Sequence, residues 1–286
     1  MITLSHGDLE LCLAASCGGC VTSFSKGGTH LLRTAEMPSS DQWDARDFAA
    51  FPMVPFVGRI DQGQFVFQGQ SITLPANMPP EPHAIHGFGW QSAWEVERVS
   101  DAETTLMHKH DGDLWPWSYE ARQQFKLTDT GLSLTLSLTN TSQSPMPAGF
   151  GWHPYFPKSG ASLTAPVLRS WTGRHMAPEA AAIDPQTDLR HTRTVADLAL
   201  DTAFDVSANP VEMEWPDHRL IIRSDPVFSK LTVFTPADEP SFCVEPITHA
   251  PNALNMSLSS QETGLQVLEP NQTLTGTIRI DVEMAS

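Results

Sequence analysis

Leu132-Ser-Leu-Thr-Leu-Ser-Leu-Thr139 puts an apolar side chain at every second position and a hydroxyl at each position between. A period of two is the signature of a β-strand with one buried and one polar face. The pattern returns near the C-terminus, where Ile278, Ile280 and Val282 alternate with Thr277, Arg279 and Asp281. Shorter stretches of the same kind lie at residues 9–13, 64–67, 71–74, 94–99, 104–107, 211–215, 220–223, 231–234 and 242–245. Turn chemistry separates them: Asp61-Gln-Gly63, Phe67-Gln-Gly69, Asp111-Gly-Asp113, Asp129-Thr-Gly131 and Trp215-Pro-Asp217. Helical patterns are scarce, with single turns expected at 178–183 and 195–200. The 23 prolines and 18 glycines agree with many turns. These features predict an all-β chain, a large antiparallel β-sandwich with few short helices. The 286 residues fit one domain, 1–286.

The formal charge of −16, from 33 acidic against 17 basic residues, repels nucleic acid and anionic membrane surfaces. Neither partner is expected. The N-terminus lacks a basic region followed by an apolar run, and no apolar stretch approaches the roughly 20 residues of a membrane helix. A soluble, cytoplasmic protein is the expectation. Cys12, Cys17, Cys20 and Cys243 include one C-x-x-C pair but not the second pair of a four-thiolate zinc site, so reduced, structural cysteines are expected.

Two long stretches, 36–59 and 75–90, show little alternation, and long irregular segments are frequently functional. Four polar clusters stand beside Pro, Gly or aromatic residues. In Pro55-Phe-Val-Gly-Arg-Ile60, Arg59 follows an apolar run; it either points into a polar cleft, where its donor fork suits vicinal hydroxyls or a ring oxygen, or lies on a solvated edge. In His83-Ala-Ile-His-Gly-Phe-Gly-Trp90, small residues let a ligand approach His86, and Trp90 offers a face for stacking. Spacing of three on an extended segment sends His83 and His86 to opposite faces, which argues against a shared metal. In Gly149-Phe-Gly-Trp-His-Pro-Tyr-Phe156, Pro154 keeps His153 extended and places it at a strand end. In Ser241-Phe-Cys-Val-Glu-Pro246, Cys243 and Glu245 share one face, and Pro246 ends the strand at a carboxylate that is either a solvated rim residue or a partly desolvated base.

Taken together, Arg59 in Pro-Phe-Val-Gly-Arg-Ile, His86 in Ile-His-Gly, His153 in His-Pro-Tyr-Phe and Glu245 in Val-Glu-Pro resemble the aldose 1-epimerase (galactose mutarotase) family, in that family's order. The segments Leu200-Asp-Thr-Ala-Phe-Asp205 and Leu268-Glu-Pro-Asn-Gln272 agree. His-Pro-Tyr-Phe is the most specific of these motifs, and the resemblance runs from about residue 52 to the end. It implies a supersandwich with the site on its concave face. It also implies His153 as general acid, Glu245 as general base, and Arg59, His86 and Asp205 as sugar-binding residues, with Asp201 the alternative to Asp205. No metal or cofactor is implied. The partner would be a free monosaccharide, and the chain a monomer or weak homodimer. Gly58 stands where galactose mutarotases usually have Asn, which bears on which sugar binds.

The expected activity is interconversion of the α and β anomers of an aldose by acid–base ring opening and closure. A carboxylate near pKa 4.3 and an imidazolium near 6.5 supply base and acid at neutral pH. Rival readings are a non-catalytic carbohydrate-binding or sugar-sensing sandwich, a glycoside hydrolase, which needs two carboxylates astride the bond, and a mutarotase for a phosphorylated or sulfonated sugar. The last needs an extra cation, for which Arg46, Lys158 and Arg174 are candidates.

Overall fold

The computed structural model describes residues 1–39, 42–172 and 179–285. Among these, most of the chain is strand, and the α-helical content is one turn, Ser260–Thr263, closed by a capping box between Ser259 and Glu262. The other helical segments are single 3-10 turns. Val195–Asp197 is one of them, as expected. Glu179–Ala181, expected as part of a turn, is a short edge strand, and Pro178 lies outside the described residues.

Two large antiparallel sheets carry the architecture. The smaller contains the strand that opened the sequence reading. Gly131–Asn140 pairs with Tyr119–Leu127 on one side and Thr273–Met284 on the other. Leu132, Leu134, Leu136 and Leu138 are at most 4% exposed, whereas Thr135 and Thr277 meet across the opposite face, with hydroxyl oxygens 3.0 Å apart. The leucines face the second sheet and join one continuous core with Phe204, Phe242, Val244 and Phe156. Full burial of each such side chain contributes about 1.5–3 kcal/mol, so this inter-sheet layer holds the sandwich shut.

The larger sheet positions the site. Its centre is built from β1 (Ala50–Met53), β2 (Gly151–Pro157), β3 (Val167–Thr172), β4 (Asp201–Val206), β5 (Lys230–Phe234) and β6 (Ser241–Ile247). Their order across the sheet is β1-β2-β6-β5-β4-β3. β1 falls inside a stretch read from the sequence as irregular. All four of its residues are buried, so the alternation that betrays a half-buried strand is missing. Two boundaries also shift. His153 lies inside β2 rather than at its end, and β6 continues past Pro246 to Ile247. Between the rungs Gly151–Ile247 and Tyr155–Cys243 the β2–β6 ladder is interrupted. Pro154 and Pro246, which have no N–H to donate, both fall in that gap.

The face of this sheet that is turned away from the second sheet is covered by a separate apolar cluster, including Phe51, Trp90, Trp171, Ala203 and Ile247. The loops 54–61, 83–94 and 248–257 lie over it and supply part of this cluster and of the cleft walls.

Candidate active site

Strand register lays out the site as three parallel rows. In the middle row Phe51 of β1 is opposite His153 of β2, and Glu245 of β6 is opposite Thr232 of β5. His153 and Glu245 meet across the interrupted ladder, with Nε2 3.3 Å from Oε1. One row over run Tyr155, Cys243, Phe234 and Asp201. On the other side run Gly151, Ile247, Lys230, Asp205 and Arg169. A cleft of about 240 Å³ opens over the first two rows, lined by His153, Glu245, Tyr155, Asp201, Thr232 and Phe234, with Arg59, His86 and Arg46 on its walls.

The His153 imidazole is held by rings. Phe51 stacks on it at 4.4 Å between centroids, inclined 23°. Tyr155 lies 4.8 Å away at 32°. The His86 ring meets it edge-on at 5.5 Å. Burial pushes the His153 pKa from 6.5 down to about 3, with Arg33 adding to the effect and Asp201 opposing it. Burial also pushes the Glu245 carboxyl well above its usual range; the Asp201 carboxylate raises it further, and Arg59 pulls the other way. Burial thus acts against charge on both groups and favours a neutral imidazole beside a protonated carboxyl. The sequence expectation was an imidazolium facing a carboxylate; both groups are more deeply buried (8% and 3% exposed) than the sequence suggested, and burial acts against that charged form.

The walls are fixed by backbone hydrogen bonds. His86 adopts φ +58°, a conformation uncommon for residues other than Gly. Its N–H donates to the Gly58 carbonyl (2.9 Å), and its own carbonyl accepts from the Val54 N–H (3.2 Å). Asn77 clamps both neighbours, donating to the carbonyls of Ile85 and Gly87 and accepting from the Ile85 N–H. The Gly58 N–H donates to His86 Nδ1 at 3.2 Å. That bond assigns the neutral ring's proton to Nε2. Gly58 itself has φ +63°, and a Cβ there would lie 3.1–3.2 Å from Pro251. The position accordingly favours glycine. Behind it, buried His249 accepts the Val57 N–H at Nε2 (3.1 Å) and faces the Ala250 carbonyl through Nδ1 (2.8 Å). Arg59, about three-quarters buried, carries an ion pair to Glu81 at 3.5 Å.

Arg59, His86, His153 and Glu245 thus converge on one cleft. Asp205 does not join them. It lies in the third row, where Trp171 Nε1 donates to it at 2.8 Å, the Lys230 ammonium stands 3.0 Å away and Arg169 pairs with its other oxygen. Asp201, the alternative, lines the cleft. Trp90 does not offer a stacking face: it is 1% exposed, packs 5.4 Å from Phe51 and donates its indole N–H to the carbonyls of Ile85 and Gly87. His83 turns away from His86 toward Asp61 and Glu81. Of the candidate extra cations, Arg46 reaches the cleft but is held by Asp44. Lys158 donates to the Pro236 carbonyl at 2.6 Å, and Arg174 lies outside the described residues. Phe51, Tyr155, Thr232 and Phe234 escaped the sequence reading; only the alternation of β5 signalled the last two. A larger, more open groove of about 860 Å³ between Arg169, Trp171 and the 64–73 hairpin includes neither His153 nor Glu245. The smaller cleft, where titratable groups converge, is the candidate site.

Two large antiparallel sheets thus carry a buried imidazole–carboxyl pair on the outer face of one of them. The chain belongs to the aldose 1-epimerase family, whose model matches residues 1–281. It is 30% identical to the uncharacterised protein YphB of Escherichia coli K12 over 98% of each chain. Among solved structures it is similar in fold to a galactose mutarotase-like protein from Clostridium acetobutylicum (TM-score 0.89, 20% identity, 99% of this chain and 95% of that one). It also matches galactose 1-epimerase from Lactobacillus acidophilus NCFM (TM-score 0.80, 15% identity, 99% and 94%). No helix among the described residues is long and apolar enough to cross a membrane.

Proposed function

We propose that this protein interconverts the α and β anomers of a free aldose, with His153 and Glu245 exchanging protons with the sugar and Arg59, His86 and Asp201 binding it. The observation that carries the reading is the 3.3 Å approach of His153 Nε2 to Glu245 Oε1 on the floor of a cleft sized for a single sugar ring.

Ring opening breaks the C1–O5 bond. A base removes the O1 proton as O1 becomes the aldehyde oxygen, and an acid delivers a proton to O5. With Glu245 as carboxylate and His153 as imidazolium, this step leaves Glu245 protonated and His153 neutral. That is the distribution burial favours. Rotation about C1–C2 presents the other aldehyde face. Glu245 then returns its proton to O1 while His153 takes the one on O5. The two proton distributions are the two ends of one half-reaction, and the contact between the side chains lets the pair switch before a sugar enters. Acid and base groups each contribute about 10²–10⁴-fold, or roughly 3–5 kcal/mol, enough for a reaction that already proceeds in water. Both anomers must fit, so Arg59, the His86 Nε2–H and Asp201 are assigned to ring hydroxyls that do not change.

The reading is tested by polarimetry on freshly dissolved α-anomers of common and anionic aldoses. Acceleration of approach to equilibrium by catalytic amounts of protein is the expected result. Binding without acceleration for every sugar would instead make the chain a sensor.

A further inference from the structure

Among the described residues, one group of three metal-ligating side chains converges, and it includes the acid–base pair. Cys243 Sγ, a nitrogen of His153 and an oxygen of Glu245 lie within 4.8 Å of one another, all three residues buried. Cys243 is not a spectator by placement. It stands two residues before Glu245 on the same face of β6 and directly opposite Tyr155 of β2, beneath the floor of the cleft. Neighbouring strands of the larger sheet hold all three groups, so their mutual positions are set by the sandwich rather than by a loop.

We propose that this triad binds one thiophilic divalent cation, zinc above all, and that the bound cation switches the site off. Nitrogen, sulfur and carboxylate oxygen are the donors zinc takes, and three protein ligands leave a fourth position open. Two of the three, His153 and Glu245, line the cleft. Tetrahedral bond lengths of about 2.0–2.3 Å place neighbouring ligand atoms roughly 3.3–3.7 Å apart. From a spread of at most 4.8 Å, closure takes side-chain shifts of about 1 Å.

Charge supports the assignment. A buried thiolate beside a buried carboxylate is unfavourable: burial raises the Cys243 thiol's hold on its proton, and Glu245 raises it further. A dication neutralises both anions at once, so binding expels up to two protons and strengthens as pH rises. Bound metal would occupy the Nε2 and Oε1 lone pairs that proton exchange needs. The inhibitory consequence rests on the anomer-exchange reading above; the binding itself does not.

The test uses the full-length chain stripped with a chelator, then titrated with Co²⁺ as a spectroscopic stand-in and with Zn²⁺ in competition. One cobalt per chain with a thiolate-to-metal charge-transfer band is expected, displaced by one equivalent of zinc. Cys243→Ala and, separately, Cys243→Ser should abolish the band. Each should also weaken zinc by more than the roughly 10–100-fold that loss of a mere hydrogen-bond partner behind a ligand costs. Absence of the band in the unmodified chain overturns the proposal. So does its persistence in both variants, which would place the thiolate at Cys12, Cys17 or Cys20. Anomer exchange is followed in parallel. Zinc-sensitive exchange in the unmodified chain with zinc-insensitive exchange in Cys243→Ala supports the switch, and equal zinc sensitivity in the two overturns it. A protein that shows the cobalt band but exchanges no sugar retains the metal site and loses the sugar assignment.

Discussion

Asp201 and Asp205 point from the same face of one strand, yet Asp201 pairs in register with Phe234 beside the cleft while Asp205 pairs with Lys230 one rung beyond it. Four residues of spacing thus separate a cleft-lining carboxylate from one paired with Lys230 and Arg169. Asp201→Asn should leave the fold intact and lower kcat/KM about 10–100-fold, the cost of roughly 1.4–2.7 kcal/mol of lost hydrogen bonding. Asp205→Asn leaves the 3%-exposed Lys230 without its charge partner. Breaking a buried pair from one side costs about 3–5 kcal/mol. Urea unfolding should therefore separate the two variants, with the larger loss of stability in Asp205→Asn and the larger loss of sugar binding in Asp201→Asn. The reverse order would return Asp205 to the sugar.

Glu245→Gln should stop proton exchange and make the fold more resistant to unfolding at neutral pH. The folded-state pKa of Glu245 is raised, so its protonated form is the one the fold favours. That contribution is fully present below the unfolded value of about 4.5 and is lost as pH rises through the raised one. Glutamine stays neutral at every pH and avoids the loss. Polarimetry should show a fall of at least about 10²-fold, while the midpoint of thermal unfolding at pH 7.5 stays equal or rises. A lower midpoint would mean that the carboxylate is ionised and paired in the empty site.

Three buried histidines make the fold acid-sensitive. His108 and His249 are lowered from 6.5 to about 4, and His153 to about 3, each chiefly by burial. A depressed pKa gives stability that is complete above the unfolded value and is lost as pH falls through the folded one. Below pH 6.5 the unfolded chain binds protons that the native chain refuses. Each histidine then removes about 1.4 kcal/mol of stability per pH unit, down to about pH 4 for the first two and about pH 3 for His153. Chemical denaturation at pH 7 and pH 5 should show this loss, and His249→Gln should flatten it by one histidine's share.

Phe51 should act on kcat through His153. Its ring is the closest flat partner of the imidazole, at 4.4 Å, and an aromatic contact of this kind is worth about 0.5–1.5 kcal/mol. Phe51→Leu should cut kcat several-fold with little change in KM, and Phe51→Tyr should restore most of it. An unchanged kcat in Phe51→Leu would show that β2 alone orients His153.

The sandwich was legible because its strands are half-buried. Leu132 to Leu138 announce their buried face, and that strand fell where its alternation put it. β1 was invisible because all of Ala50-Phe-Pro-Met53 is buried, so no polar beat marks the strand, and Phe51 went unnoticed with it. At the candidate site, Arg59, His86, His153 and Glu245 stood out as polar residues among Gly, Pro and rings, and they do converge. Asp201 and Asp205 could not be told apart, since spacing of four in a strand puts both on one face and only the neighbouring strand's register separates them. Burial of the central pair was equally hidden. It depends on loops 54–61 and 248–257 folding over the sheet, and a single strand carries no record of what covers it.

The paired gap that Pro154 and Pro246 leave between β2 and β6 has a consequence for assembly. Those two strands come from chain segments some ninety residues apart, and at the point where proton traffic is assigned they meet through side chains instead of a full set of amide bonds. A refolding chain should accordingly recover its strand content well before it recovers a working pocket. Fragments that end before β6 should be inert however well they collapse.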